Sequence, residues 1–84
     1  MNMFTCPVCG YAELEDIPWD DEYTPSFTIC DCCGVEFGYE DATQEGKLKY
    51  RKQWIASGGK WFNPAKKPEN WNMNDQLKKI GINL

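Results

Sequence analysis

Up to Tyr39 the apolar residues alternate with polar ones in short runs, and beyond Leu48 they recur at helical spacing. Met3 to Tyr11 reads as a strand that enters a cysteine turn and leaves it. Phe27 to Cys30 and Val35 to Tyr39 read as a second strand-turn-strand. Phe27, Ile29, Val35, Phe37 and Tyr39 share parity within their strands, which is the period-two pattern of a half-buried hairpin. Asp16 to Pro25 between them is polar, holds two prolines and reads as a loop carrying Trp19 and Tyr23.

A helix follows. Asp41 is a candidate N-cap, and Gln44 completes a capping-box pattern. Gly46 weakens that start and moves the expected beginning to Lys47. Leu48 and Ile55 lie seven apart, and Tyr50 and Trp54, four apart, can touch on a neighbouring stripe. Gly58 and Gly59 supply the stop. Lys60 to Trp71 contains Pro64 and Pro68 and reads as a loop carrying aromatics. Asn72 or Asn74 can cap a last short helix holding Leu77 and Ile80, ended by Gly81, with Ile82 placed for a Schellman contact.

An 84-residue chain has room for one domain with a marginal core. Domains of this size often add a staple, and five cysteines are present. Met1 to Gly10 has neither the basic start nor the apolar stretch of a secretory signal, and no run approaches a membrane span of ~18 apolar residues. We therefore expect a cytoplasmic protein in a reducing compartment, where paired Cys-x-x-Cys units are metal or redox sites rather than disulfides.

Cys6-Pro7-Val8-Cys9-Gly10 and Cys30-Asp31-Cys32-Cys33-Gly34 are two such units. Two residues between cysteines let both sulfurs face one ion across a tight turn. The glycine that follows permits a positive φ, so that backbone N–H groups can point at the sulfurs. Cys6, Cys9, Cys30 and Cys33 thus form a candidate four-thiolate site, for which zinc is the expected ion and iron the alternative. Cys32 is the surplus. Cys33, not Cys32, precedes a glycine as Cys9 does, so Cys32 is read as a non-ligand, either a redox-sensitive thiol or a bystander. The chain has no histidine. Four thiolates close the coordination sphere, so hydrolytic chemistry, which needs an open position, is not expected.

Charge divides the chain. Residues 1–46 hold eleven Asp and Glu and no Lys or Arg, whereas residues 47–84 hold all nine Lys and Arg against Glu69 and Asp75. Such asymmetry points either to a partner or to attraction between the halves within the fold. A net charge of −4 opposes nucleic acid unless the charges segregate on the surface. Of the many aromatics, Phe37, Trp54, Trp61 and Phe62 are expected in the core, and Trp19, Tyr23 and Trp71 at an interface.

Phe4 to Tyr11, with Ile29 to Tyr39 and the Glu40-Asp41 pair after it, resembles the bacterial cysteine-rich CPCC-type family. Val8 stands where the namesake motif has cysteine, and Gly34 where many members have an aromatic. Tyr50 to Trp71 looks like the continuation in related small bacterial proteins. The resemblance implies a short zinc ribbon. The cysteine turns are also similar to those of rubredoxin, with a shorter gap between pairs and an added basic tail.

The expected fold is α+β: a zinc-ribbon or rubredoxin-like pair of knuckles with short β-hairpins over 1–40, and a basic helical extension over 41–84, in one domain 1–84. The expected function is a non-enzymatic protein-interaction module with a structural zinc. A narrower form is an immunity or inhibitor protein whose acidic half covers a basic site. The rivals are an iron electron carrier and a nucleic-acid-binding ribbon contacting phosphates through Lys66 and Lys67.

Overall fold

Glycine after each cysteine pair lets the chain reverse within five residues, and the two reversals are built alike. The Cys6 amide donates to Tyr11 O (2.8 Å) and the Gly10 amide to Cys6 O (2.9 Å); the Cys30 amide donates to Val35 O (3.0 Å) and the Gly34 amide to Cys30 O (2.9 Å). Gly10 and Gly34 take φ of 86° and 80°. The computed structural model describes residues 3–83. Around the two turns it places a two-stranded antiparallel sheet of β1 (Trp19–Asp21) and β2 (Thr24–Pro25), then helix α1 (Gln44–Ala56), a 3₁₀ turn at Pro64–Lys66 and helix α2 (Met73–Lys78). This is a small α+β fold.

The strands expected beside the cysteine turns shrink to single bridges, Phe4 with Leu14 and Ile29 with Glu36. Val35 and Phe37 are fully buried as their parity requires. Phe27, Ile29 and Tyr39 are not, with Phe27 64% and Tyr39 74% exposed. The reason is local. Ile29 pairs with Glu36 and so shares its face rather than that of Val35 and Phe37, while Phe27 adopts φ 58° and Gly38 φ 96°, so alternation breaks just before and just after the paired stretch. The sheet lies instead in the segment expected to be loop. Asp21 Oδ1 accepts from the Tyr23 amide (2.8 Å), an Asx turn that closes the hairpin and leaves Pro25 on an edge strand where no amide is needed.

Helix α1 also starts differently from its sequence pattern. Thr43 is the N-cap, its Oγ1 accepting from the Gly46 amide (3.0 Å). Asp41 is unavailable as a cap because its buried carboxylate accepts from the Gly38 amide (2.7 Å) and from Trp19 Nε1 (2.8 Å), which pins the hairpin to the second cysteine turn. Trp54 is the buried anchor of α1, Tyr50 and Ile55 pack beside the core, and Leu48 faces outward. Gly58 and Gly59 end the helix as expected, their amides returning to Ile55 O and Trp54 O. Helix α2 is capped by Asn72, and Ile82 closes it by donating to Leu77 O (3.0 Å) behind Gly81 at φ 80°.

A single core cluster draws on both parts of the chain, from Cys6 and Val8 through Val35 and Phe37 to Trp54, Trp61 and Leu77. Edge-to-face contacts run from Tyr11 to Trp61 (5.5 Å), from Trp61 to Trp71 (5.4 Å) and from Trp71 to Trp54 (6.1 Å). Trp71, expected at an interface, is therefore part of this stack. Phe62, expected in the core, is 60% exposed and lies over Gly34, which has no side chain to fill that space.

An alanine at a helical glycine ordinarily stabilises by about 1 kcal/mol. At Gly46 a Cβ would stand 2.6 Å from the Glu40 carbonyl oxygen. Gly46→Ala is therefore expected to destabilise, by about 1–3 kcal/mol as for overpacked sites, with a lowered Tm in thermal melts. A gain in Tm would mean that the 40–46 turn yields freely.

Candidate metal centre

The two turns face each other sulfur to sulfur. Cys6 Sγ lies 3.9 Å from Cys33 Sγ, and Cys9 Sγ lies 3.7 Å from Cys30 Sγ, so the first cysteine of each turn meets the second of the other. All four Sγ atoms fall within 4.8 Å of one another, and all four residues are buried. A tetrahedral ion with bonds near 2.3 Å to sulfur needs S···S edges of about 3.8 Å. The cluster has the size and donor type to hold a metal ion.

Its ionisation points the same way. Hydrogen bonds from Cys33, then from Cys6 and Cys9, hold the Cys30 thiol far below the usual thiol range. The hydrogen bond to Cys30 in turn pushes Cys9 and Cys33 far above it. Thiols packed this closely in a buried space share protons through their hydrogen bonds, and their simultaneous ionisation is opposed. A divalent cation is the group that can replace those protons and stabilise all four thiolates together.

Beyond the carbonyl bonded inside each turn, each turn aims three carbonyls outward, and the second half of the chain meets these six. Arg51 Nη2 donates to Pro7 O (2.8 Å), Arg51 Nε to Val8 O (2.7 Å) and Gln76 Nε2 to Cys9 O (3.0 Å). On the other turn the Asn63 amide donates to Asp31 O (2.8 Å), the Phe62 amide to Cys32 O (2.9 Å) and the Tyr50 hydroxyl to Cys33 O (2.8 Å). The helical extension is thus the outer shell of the cysteine site.

Cys32 stands apart from the group of four. It is fully buried, and its Sγ accepts from Gln76 Nε2 (3.3 Å), the same amide that reaches Cys9 O. Burial removes it from solvent and from easy oxidation. Gln76 Oε1 accepts from Trp71 Nε1 (2.8 Å), so one buried amide joins α2, the aromatic stack and both cysteine turns.

Sequence reasoning passed over Arg51, Tyr50 and Gln76 as site residues. Two signals were present. Arg51 is the only arginine among nine cationic residues, and an arginine fork suits two adjacent carbonyls as a lysine does not. Gln76 occupies a position on the inner face of α2 beside Leu77, where a polar residue needs a partner.

Burial, with acidic residues and thiols nearby, pushes the phenols of Tyr11 and Tyr50 up to about 12. Both stay neutral in the folded state after an unfolded phenol has begun to ionise near pH ~10. The stability attached to them is intact below pH ~10 and is lost as pH rises through about 12. A phenolate absorbance titration should show two late-ionising tyrosines that join the others once urea is added. Gln76→Leu strands Cys9 O and Trp71 Nε1 together, and should cost about 2–4 kcal/mol in urea unfolding.

The chain is 37% identical to the uncharacterized protein YozI of Bacillus subtilis (strain 168) over an alignment of 93 positions, which covers 92% of this chain and 77% of that protein. It is 34% identical over 105 positions to the uncharacterized protein YoaQ of the same organism, covering 96% of this chain and 89% of YoaQ. No protein-family profile matches the chain, and no solved structure matches it.

Proposed function

The chain belongs to the family of the Bacillus subtilis proteins YozI and YoaQ, and for this member we propose that Cys6, Cys9, Cys30 and Cys33 hold one structural zinc in a zinc-ribbon-like protein that acts by contact with another protein. The observation that carries the metal reading is the buried group of four thiols at tetrahedral spacing. Once bound, the ion cross-links two turns more than twenty residues apart in sequence and adds its binding free energy to folding. The site is closed and offers no histidine, so a non-enzymatic role fits it better than hydrolysis.

The protein-contact reading rests on the surface. Tyr23, Phe27 and Tyr39 are exposed aromatics in the half that carries eleven carboxylates and no cation. Aromatic anchors within a charged rim suit a basic partner. An immunity or inhibitor protein is the narrower form of this proposal, supported by that charge alone. No helix among the described residues is long and apolar enough to cross a membrane.

The test is metal content and visible spectrum of protein produced with zinc and iron both supplied. One zinc per chain, no colour and unfolding on chelation are expected. One iron per chain, with colour that reverses on reduction, would replace this proposal with an electron carrier. Cys9→Ser should abolish stoichiometric metal and Cys32→Ser should keep it. Because the ligands must be deprotonated, lowering pH should release the ion as protons compete for the thiolates.

A further inference from the structure

We infer that Arg51 is a positioning residue of the metal centre, the charged group that sets how tightly the first cysteine turn holds its ion. This rests on the metal reading above and adds to it a determinant outside the cysteines.

Three observations converge on Arg51. The first is placement. From α1 its guanidinium reaches across to the first turn and donates to two successive carbonyls, Val8 O at 2.7 Å and Pro7 O at 2.8 Å. These carbonyls belong to the peptide groups whose N–H ends are the Val8 and Cys9 amides, inside the Cys6–Cys9 turn. A cation on the oxygen end polarises these two peptide groups and fixes their orientation, in the turn that carries Cys6 and Cys9.

The second is asymmetry. The matching carbonyls of the other turn, Asp31 O and Cys32 O, accept from the neutral backbone amides of Asn63 and Phe62. Their internal bonds match, Gly10 to Cys6 O and Gly34 to Cys30 O, and the donors to Cys9 O and Cys33 O, the Gln76 amide and the Tyr50 hydroxyl, are both neutral. The charged donor is what distinguishes the first.

The third is charge balance. Four thiolates around a divalent ion leave a net −2, in a segment where residues 1–46 contribute no Lys or Arg. Cations of the second half must supply the counter-charge. Arg51 is the one that the structure bonds to a cysteine turn, and it is half-buried, so salt screens it less than the exposed lysines around it.

The experiment uses the full-length zinc protein and a chromogenic chelator. Arg51→Met retains the aliphatic stem and removes fork and charge. Lys52→Met removes an exposed cation from the next position of the same helix. Partners that orient and polarise metal ligands typically change affinity about 10–100-fold. Arg51→Met is therefore expected to weaken zinc affinity by at least about tenfold, while Lys52→Met leaves it within about twofold. Replacing zinc with cobalt(II) gives a readout that packing does not move: the thiolate-to-metal charge-transfer bands should shift in Arg51→Met and not in Lys52→Met. If Arg51→Met binds zinc as tightly as the parent and keeps its cobalt spectrum, the inference fails, even if the variant melts earlier. Equal weakening by both substitutions would also overturn it, since general charge would then suffice. A parent protein that takes up neither zinc nor cobalt would instead refute the metal reading.

Discussion

Six outward-facing carbonyls, three on each cysteine turn, are the constraint around which the rest of the structure is arranged. A tight turn that gathers two sulfurs on its inside must present its carbonyls on its outside. Buried carbonyls need donors. Here the donors come from α1 through Tyr50 and Arg51, from the backbone at Phe62 and Asn63, and from α2 through Gln76. The positions of both helices and of the segment between them follow from that requirement. Apolar packing then fills the space behind: Phe37, Val35 and Leu77 are fully buried, and the Tyr11–Trp61–Trp71–Trp54 stack closes the far side.

This arrangement makes the two unequal halves of the charge distribution interdependent. The acidic half supplies the thiols, and the basic half supplies the donors that bond the carbonyls of the turns carrying them. Exposed ion pairs contribute little at a surface. A guanidinium that is half-buried and bonded to two carbonyls is better placed to matter. Gln76 has a matching role without charge. It holds Cys32 as a hydrogen-bonded neighbour while bracing Cys9 through its carbonyl, so the fifth cysteine is occupied by an amide and lies outside the group of four.

The surface left over is the acidic hairpin and its surroundings. Trp19 ties that hairpin to Asp41, which keeps Asp41 from capping α1 and fixes where the helix begins. Phe27, in a left-handed conformation that bulky residues rarely adopt, is braced by Ser26 and Thr28, whose hydroxyls bond each other at 2.7 Å. Gly38 is required beside it, because a Cβ there would stand 2.5 Å from Pro25.

By itself the sequence determined what local spacing determines: the two Cys-x-x-Cys-Gly turns, the glycine stops after α1 and α2, an asparagine cap at the start of α2, and burial of Val35, Phe37, Trp54 and Trp61. Each depends on residues a few positions apart, whose chemistry decides the geometry wherever the segment sits. Only the tertiary structure decided which N-cap α1 uses, since Asp41 was claimed by Trp19 from twenty-two residues away. Only it moved Trp71 into the core and Phe62 out, since Gly34 and the aromatic stack arrange those rings. And only it placed Arg51 and Gln76 on Pro7, Val8 and Cys9, across separations of more than forty residues. Which donor satisfies a buried carbonyl is set by proximity in the finished fold, and no period in the chain encodes it.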